Sequence, residues 1–236
     1  MAKKVTKKRK APQKKQTNWT LIGGVIVIGV IGLFALLFLS LQTPNTVAEN
    51  RELESYCEDN PNNCVIKGDA DAPVTIVEVS DYGCPHCRTF NTETAPLIDE
   101  RYVASGEVRY ISLPYALRSQ DGSYPTAATA VASLCANEQL GYYDDYQRAM
   151  FNLQGSPSFN TFTGFVESAQ TLGMDVDAFS SCLADNSYEA TVLANTQVAQ
   201  RAGISATPSF FVNGVKVEGA QPFAAFQRQI ESLLGS

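Results

Sequence analysis

Residues 74–87 read Val-Thr-Ile-Val-Glu-Val-Ser-Asp-Tyr-Gly-Cys-Pro-His-Cys. Val74 to Val79 is β-branched apart from Glu78, and Pro73 and Gly83 bound the run with chain-turning residues, so it reads as a strand. From Pro85 to about Ala104 there is no glycine, and Phe90, Leu97, Ile98 and Val103 recur at mostly helical spacing, so a helix follows. Pro96 predicts a kink or break within it. Cys84 therefore falls where the strand passes into the helix, with Pro85 suited to the first helical position. Unpaired backbone N–H groups and the positive end of a helix dipole stabilise a thiolate, the nucleophile of disulfide exchange. Cys87 lies one helical turn on, close enough to bond Cys84 or to resolve a mixed disulfide on it. His86, the only histidine in the chain, stands between them as a positive or hydrogen-bonding group beside the sulfur.

Two blander uses of a Cys-x-x-Cys pair are weaker. Zinc needs two more ligands, no second histidine exists, and the other cysteines stand singly, so no metal site is expected. A structural disulfide over so short a loop restrains little chain entropy.

The net charge of −6 conceals an asymmetry. Eight Lys/Arg precede the first acidic residue, Glu49, leaving ten basic against 24 acidic residues in the remainder, a balance near −14. Such a body is a poor match for nucleic acid. No charge occurs from Gln16 to Ala48, and Leu21–Leu41 is apolar except for glycines and Ser40. Those residues span about 30 Å as a helix, the thickness of the hydrocarbon layer. The division expected is a basic cytoplasmic tail at 1–18, a transmembrane anchor at 19–41, an extracytoplasmic tether at 42–63 and a folded domain at 64–236, with lysines holding the N-terminus inside. A cleaved signal peptide ending near Thr46-Val47-Ala48 is the alternative, but the apolar run is long for one. Either way the domain is exported to a periplasm or cell-wall space. All six cysteines lie on the exported side, which agrees with an oxidising compartment.

Cys57 and Cys64 flank a polar, turn-rich hexapeptide and read as a small structural disulfide, with a second redox pair as the alternative. Glu78 sits within an apolar strand, where an acid is costly unless paired or protonated; a solvent-facing edge position is the other reading. Val108–Leu113 is the next strand, ended by Pro114. About 90 residues then intervene before Ser209–Val212, too many for a loop, and they carry helical patterns at Thr126–Leu140, Tyr142–Leu153, Phe159–Leu172, Asp175–Asp185 and Ser187–Ala202. Asn213-Gly214 is a hairpin turn between Phe210–Val212 and Val215–Glu218, and Pro222–Leu234 is a closing helix.

Cys84-Pro85-His86-Cys87 after a strand, preceded by Ser80-Asp81-Tyr82-Gly83, resembles the redox motif of the thioredoxin superfamily, and its Pro-His dipeptide resembles the DsbA-type thiol oxidases. The turn Gly68–Pro73 and the downstream Thr207-Pro208 fit the same family, so the likeness covers about Val65 to Leu234. It implies an α/β thioredoxin-like fold with a helical insertion at about 115–203, behind the single N-terminal membrane helix. It implies that Glu78 relays protons to the resolving Cys87. It also implies that Pro208 is cis, opposes the redox pair and bares backbone for a client strand, with Thr207 modulating the thiolate. Cys135 and Cys182 would pair to staple the insertion; two separate buried thiols are the alternative. The function implied is donation of disulfides to reduced exported proteins without a bound cofactor, with reoxidation by a separate membrane quinone-linked partner of the DsbB or VKOR kind. A reductase or isomerase using the same motif, or a non-catalytic anchored assembly module, remain open.

Overall fold

The structure, a computed structural model, describes residues 50–235. The basic tail, the anchor and the first part of the tether lie outside these residues. Among the described residues no helix is long and apolar enough to cross a membrane.

Five strands, β1 (Val65–Lys67), β2 (Val74–Asp81), β3 (Val108–Tyr115), β4 (Ser209–Val212) and β5 (Val215–Glu218), form one sheet in the order β1-β3-β2-β4-β5. β2 runs parallel to β3 and antiparallel to β4, and every one of its residues is buried. That accounts for its nearly unbroken apolar run, because a strand covered on both faces cannot alternate with polar residues. Period-2 geometry still sorts its side chains. Val77 and Val79 pack with Ile111, Leu113 and Phe211 under α1 (Glu52–Asp59) and α7 (Glu189–Arg201). Val74 and Ile76 pack with Tyr110, Phe210 and Val212 under α2 (residues 85–103) and α8 (Phe223–Leu234).

The long connection from β3 to β4 is the expected helical insertion: α3 (Ala127–Asn137), α4 (Tyr143–Asn152), α5 (Phe162–Leu172), α6 (Val176–Ala184) and α7. It encloses a core of its own around Tyr146, Met150, Phe151 and Phe179, and that core reaches Tyr82 and Cys87. The hairpin β4–β5 turns at Asn213-Gly214, both at positive φ.

Three expectations need correction. Residues 52–59 of the expected tether are helix α1, followed by a 3₁₀ turn at Pro61–Asn63. Leu53 and Cys57 are the buried face of that helix, and Arg109 pairs with Glu58 at 2.6 Å, so this stretch is part of the folded body. Its charged surface residues hid a short apolar stripe.

Pro114 does not end β3; it pairs in register with Ser80 of β2. Strand β1 reaches only to Ser112, so the missing N–H of Pro114 faces no partner strand, and its carbonyl accepts from Asn195 Nδ2 at 3.1 Å. Pro96 breaks nothing. Helix α2 is continuous, α-helical at Pro85–Thr89 and Ala95–Ile98 and widened to π-helix at Phe90–Thr94 and Asp99–Val103. Ala95 N–H donates to Phe90 O, five residues back, so the turn ahead of the proline is wider rather than cut.

Candidate active site

Cys84 is the N-cap of α2, with φ −82° and ψ 120°, and Pro85 takes the first helical position. Two side chains brace the turn that presents it, Asp81 and Gln154. Asp81 accepts through Oδ1 from Gly83 N–H (2.7 Å) and through Oδ2 from Leu117 N–H (2.6 Å) and the Thr126 hydroxyl (2.8 Å). Gln154, just past α4, donates from Nε2 to the carbonyls of Tyr82 (2.5 Å) and Cys84 (3.1 Å). Gly83 is there because of close approach: a Cβ at that position would lie 2.7 Å from Thr126 Cγ2.

The two sulfurs differ sharply. Cys84 is half-buried and Cys87 fully buried, and neither is bonded to the other in this structure. Cys84 is held down to about 5 from 9.0, chiefly by the Cys87 thiol donating to its sulfur, with the Thr207 side chain and the Cys87 and His86 backbone N–H groups adding to the effect against the cost of burial. When protonated, Cys84 donates instead to the Thr207 carbonyl, 3.2 Å from Sγ. The Thr207 hydroxyl makes no regular hydrogen bond, so its help to the anion comes through proximity. Burial pushes Cys87 well above the ordinary thiol range, and the charge on Cys84 pushes it further.

The His86 side chain is exposed in the first turn of α2. Its contribution visible in this geometry is its backbone N–H. The Thr207–Pro208 peptide is cis, Pro208 is buried, and Ala206 just before it is exposed.

Glu78 lies beneath this pair and is wholly buried. Asn91 Nδ2 donates to its Oε1 at 2.6 Å and the Tyr110 hydroxyl to its Oε2 at 2.8 Å. Burial raises its carboxyl above the usual range, and these donors oppose the rise only in part. The same Asn91 nitrogen reaches the Cys87 carbonyl at 3.1 Å, tying the acid to the turn that carries the buried sulfur. Lys67 lies 5.2 Å over the Tyr110 ring and is held by Asp99 (2.7 Å) and Asp144 (2.9 Å).

Neither Asn91 nor Gln154 stood out in the sequence. Asn91 had a faint signal, one helical turn beyond Cys87 on the same face. Gln154 had none, because only the packing of the insertion brings it 70 residues back to Cys84.

The four remaining cysteines form two buried bonds, Cys57–Cys64 and Cys135–Cys182, each near 2.0 Å. The first joins α1 to the start of β1, the second α3 to α6.

A family profile described as Thioredoxin matches residues 59–232. The chain belongs to that family. Among solved structures, this thioredoxin-family chain superposes on oxidised BdbD from Bacillus subtilis with a TM-score of 0.65, at 22% identity over 74% of this chain and 94% of that one. It superposes on α-DsbA1 of Wolbachia pipientis with a TM-score of 0.63, at 26% identity over 73% of this chain and 92% of that one. Its thioredoxin-like fold with a helical insertion is thus the DsbA-type arrangement. A Rickettsia bellii protein provisionally named a protein-disulfide oxidoreductase is 24% identical over 66% of this chain. This chain spans 59% of that relative's length. The names of these relatives are consistent with thiol:disulfide exchange at the Cys84–Cys87 pair.

Proposed function

We propose that this protein is an extracytoplasmic thiol:disulfide oxidoreductase that donates disulfides to reduced exported proteins. The observation that carries the reading is the asymmetry of the pair: an accessible sulfur held down to about 5 against a sealed one pushed far up. Stabilising the Cys84 thiolate stabilises the reduced protein, and a dithiol more stable when reduced is a stronger oxidant when bonded.

The cycle begins with Cys84 and Cys87 joined. A client thiolate attacks Cys84 Sγ, the Cys84–Cys87 bond breaks, and Cys87 leaves with the electron pair and takes up a proton. A second client thiolate then attacks the client sulfur of the mixed disulfide and displaces Cys84 as the thiolate its surroundings favour. Cys84 is the nucleophile, Cys87 the resolving thiol, His86 a further group beside the sulfur, and Glu78 the internal acid and base for Cys87. The backbone around Thr207 and Pro208 lies across from Cys84 and suits an extended client segment. The Cys57–Cys64 and Cys135–Cys182 bonds are structural.

The uncharged run at 19–41, behind the basic tail at 1–18, anchors the protein in the cytoplasmic membrane with the domain outside. Reoxidation falls to a membrane quinone-linked partner of the DsbB or VKOR kind. The test is equilibration of the full chain with glutathione buffers, following Cys84 and Cys87 by mass. A pair reduced even in oxidising buffer, together with a Cys84 alkylation rate that titrates near pH 5, is the expected result. A Cys84 that titrates near 8.5, like a free thiol, overturns the oxidase direction in favour of a reductase or isomerase.

A further inference from the structure

Glu78 and Cys87 do not exchange a proton by direct contact in any bond the structure shows, and the group between them is a hydroxyl. Ser80 follows Glu78 by two residues on β2, so the two side chains leave the same face of the strand. Asn91 Nδ2 lies 2.6 Å from Glu78 Oε1, 3.3 Å from Ser80 Oγ and 3.1 Å from the Cys87 carbonyl, so the three groups converge on one nitrogen. That amide has two hydrogens. The two shorter contacts use them, and the Ser80 O–H is left to donate. The Ser80 hydroxyl acts on both the Glu78 carboxyl and the Cys87 thiol as a hydrogen-bonding neighbour that lowers each, against the larger effect of burial. Glu78 Oε2 accepts from Tyr110, and Oε1 accepts from the same Asn91 amide that reaches Ser80.

The surroundings are closed to solvent. Glu78 and Cys87 are sealed, Ser80 and Asn91 nearly so.

We infer that the Ser80 hydroxyl is the proton shuttle between Cys87 and Glu78, a catalytic residue of the exchange reaction. The inference rests on the exchange chemistry proposed above and specifies its internal step. When Cys87 resolves a mixed disulfide on Cys84, the Cys87 S–H proton passes to Ser80 Oγ while the Ser80 O–H proton passes to Glu78 Oε1. The Cys87 thiolate attacks Cys84 Sγ, the Cys84–Cys87 bond forms, and the partner sulfur leaves with the electron pair and is protonated from solvent. In the opposite direction Glu78 returns the proton through Ser80 to the departing Cys87. The groups that set the acidity of this relay are Glu78, Cys84 and Cys87, Tyr110 from β3, Lys67 from β1, and Tyr82 and Tyr143, whose phenols sense the Glu78 charge.

The test mixes the reduced full-length chain with excess oxidised glutathione and follows two phases by rapid quench and mass. The first, glutathionylation of Cys84, depends on glutathione concentration; the second, release of glutathione by Cys87, does not. Ser80→Ala is expected to slow the second phase by about 100-fold, the lower end of what a positioned proton-transfer group contributes. It should also flatten that phase's pH profile and diminish its deuterium solvent isotope effect, while the first phase stays within about twofold, reporting an intact Cys84 site. Ser80→Thr, which keeps the hydroxyl, is expected to recover most of the rate, and adding Glu78→Gln to Ser80→Ala should slow the step little further. A second phase in Ser80→Ala within about twofold of the parent overturns the relay alone, as does a Thr variant as slow as the Ala variant. Absence of the first phase in the parent chain overturns the exchange reading itself, and the relay with it.

Discussion

Glu78 spends stability on function. Burial raises its carboxyl in the folded chain above the unfolded value of 4.5, so its proton is held more tightly folded than unfolded. Stability from that proton is fully present below pH 4.5 and is lost as pH rises through the higher folded value. Glu78→Gln mimics the protonated acid. It should therefore stabilise the protein at pH 7, on the order of 1–3 kcal/mol, the range for an imperfectly compensated buried polar group. The gain should vanish below about pH 4. Denaturant melts at both pH values check this, and a destabilised variant at pH 7 would show that the Asn91 and Tyr110 bonds outweigh the burial. At Gly83 the reasoning is steric. Gly83→Ala places a methyl 2.7 Å from Thr126 Cγ2 and should destabilise by about 1–3 kcal/mol, as overpacking does. Thr126→Ser removes the offending methyl and keeps the hydroxyl for Asp81, so the double variant should recover most of the loss in a mutant cycle.

At the scale of elements, the insertion is joined to the catalytic turn by few but specific ties. Gln154→Ala frees the carbonyls of Tyr82 and Cys84 from the one side chain that holds both. Each lost bond is worth about 1 kcal/mol, and the alkylation rate of Cys84 should shift as the turn loosens, whereas substitution of the exposed Leu140 should leave it unchanged. The two disulfides differ in the length of chain they close. Cys135–Cys182 spans 47 residues and Cys57–Cys64 spans seven. Loop-closure entropy then assigns about 4 kcal/mol to the first and about 2 kcal/mol to the second. Replacing each pair by alanines and measuring denaturant midpoints should reproduce that order, with Cys84 exchange chemistry retained in both. Local pattern reading did well here: all five insertion helices and the hairpin were legible, because each carries its own apolar periodicity. It failed at α1 and at Pro114, where the outcome depends on what covers the segment. A short charged helix is stabilised by the sheet face beneath it, and a proline is admitted to a strand because the neighbouring strand stops short.

For the molecule as a whole, the controlling quantity is the difference in stability between its reduced and oxidised forms. Cys84 is depressed in the folded reduced chain, so the thiolate's contribution is fully present above the unfolded value of 9.0, declines below it, and is gone once pH falls through about 5. The oxidised form has no such thiolate. Thermal unfolding of both forms from pH 4 to 9 should therefore show the reduced form gaining on the oxidised one as pH rises above about 5; a pH-independent gap would contradict the site's electrostatics. The sequence by itself determined the Cys84–Cys87 pair as the candidate site, its position at the start of a helix, the fold class and the run of helices between β3 and β4, because each rests on residues adjacent along the chain. Only the tertiary structure decided that Glu78 is sealed, that Asn91 bridges it to the Cys87 carbonyl, and that Gln154 grips the turn. Gln154 reaches across 70 residues to Cys84, the nearer contacts need the strand and the helix packed against each other, and the burial that raises Glu78 and Cys87 is a property of the packed molecule alone.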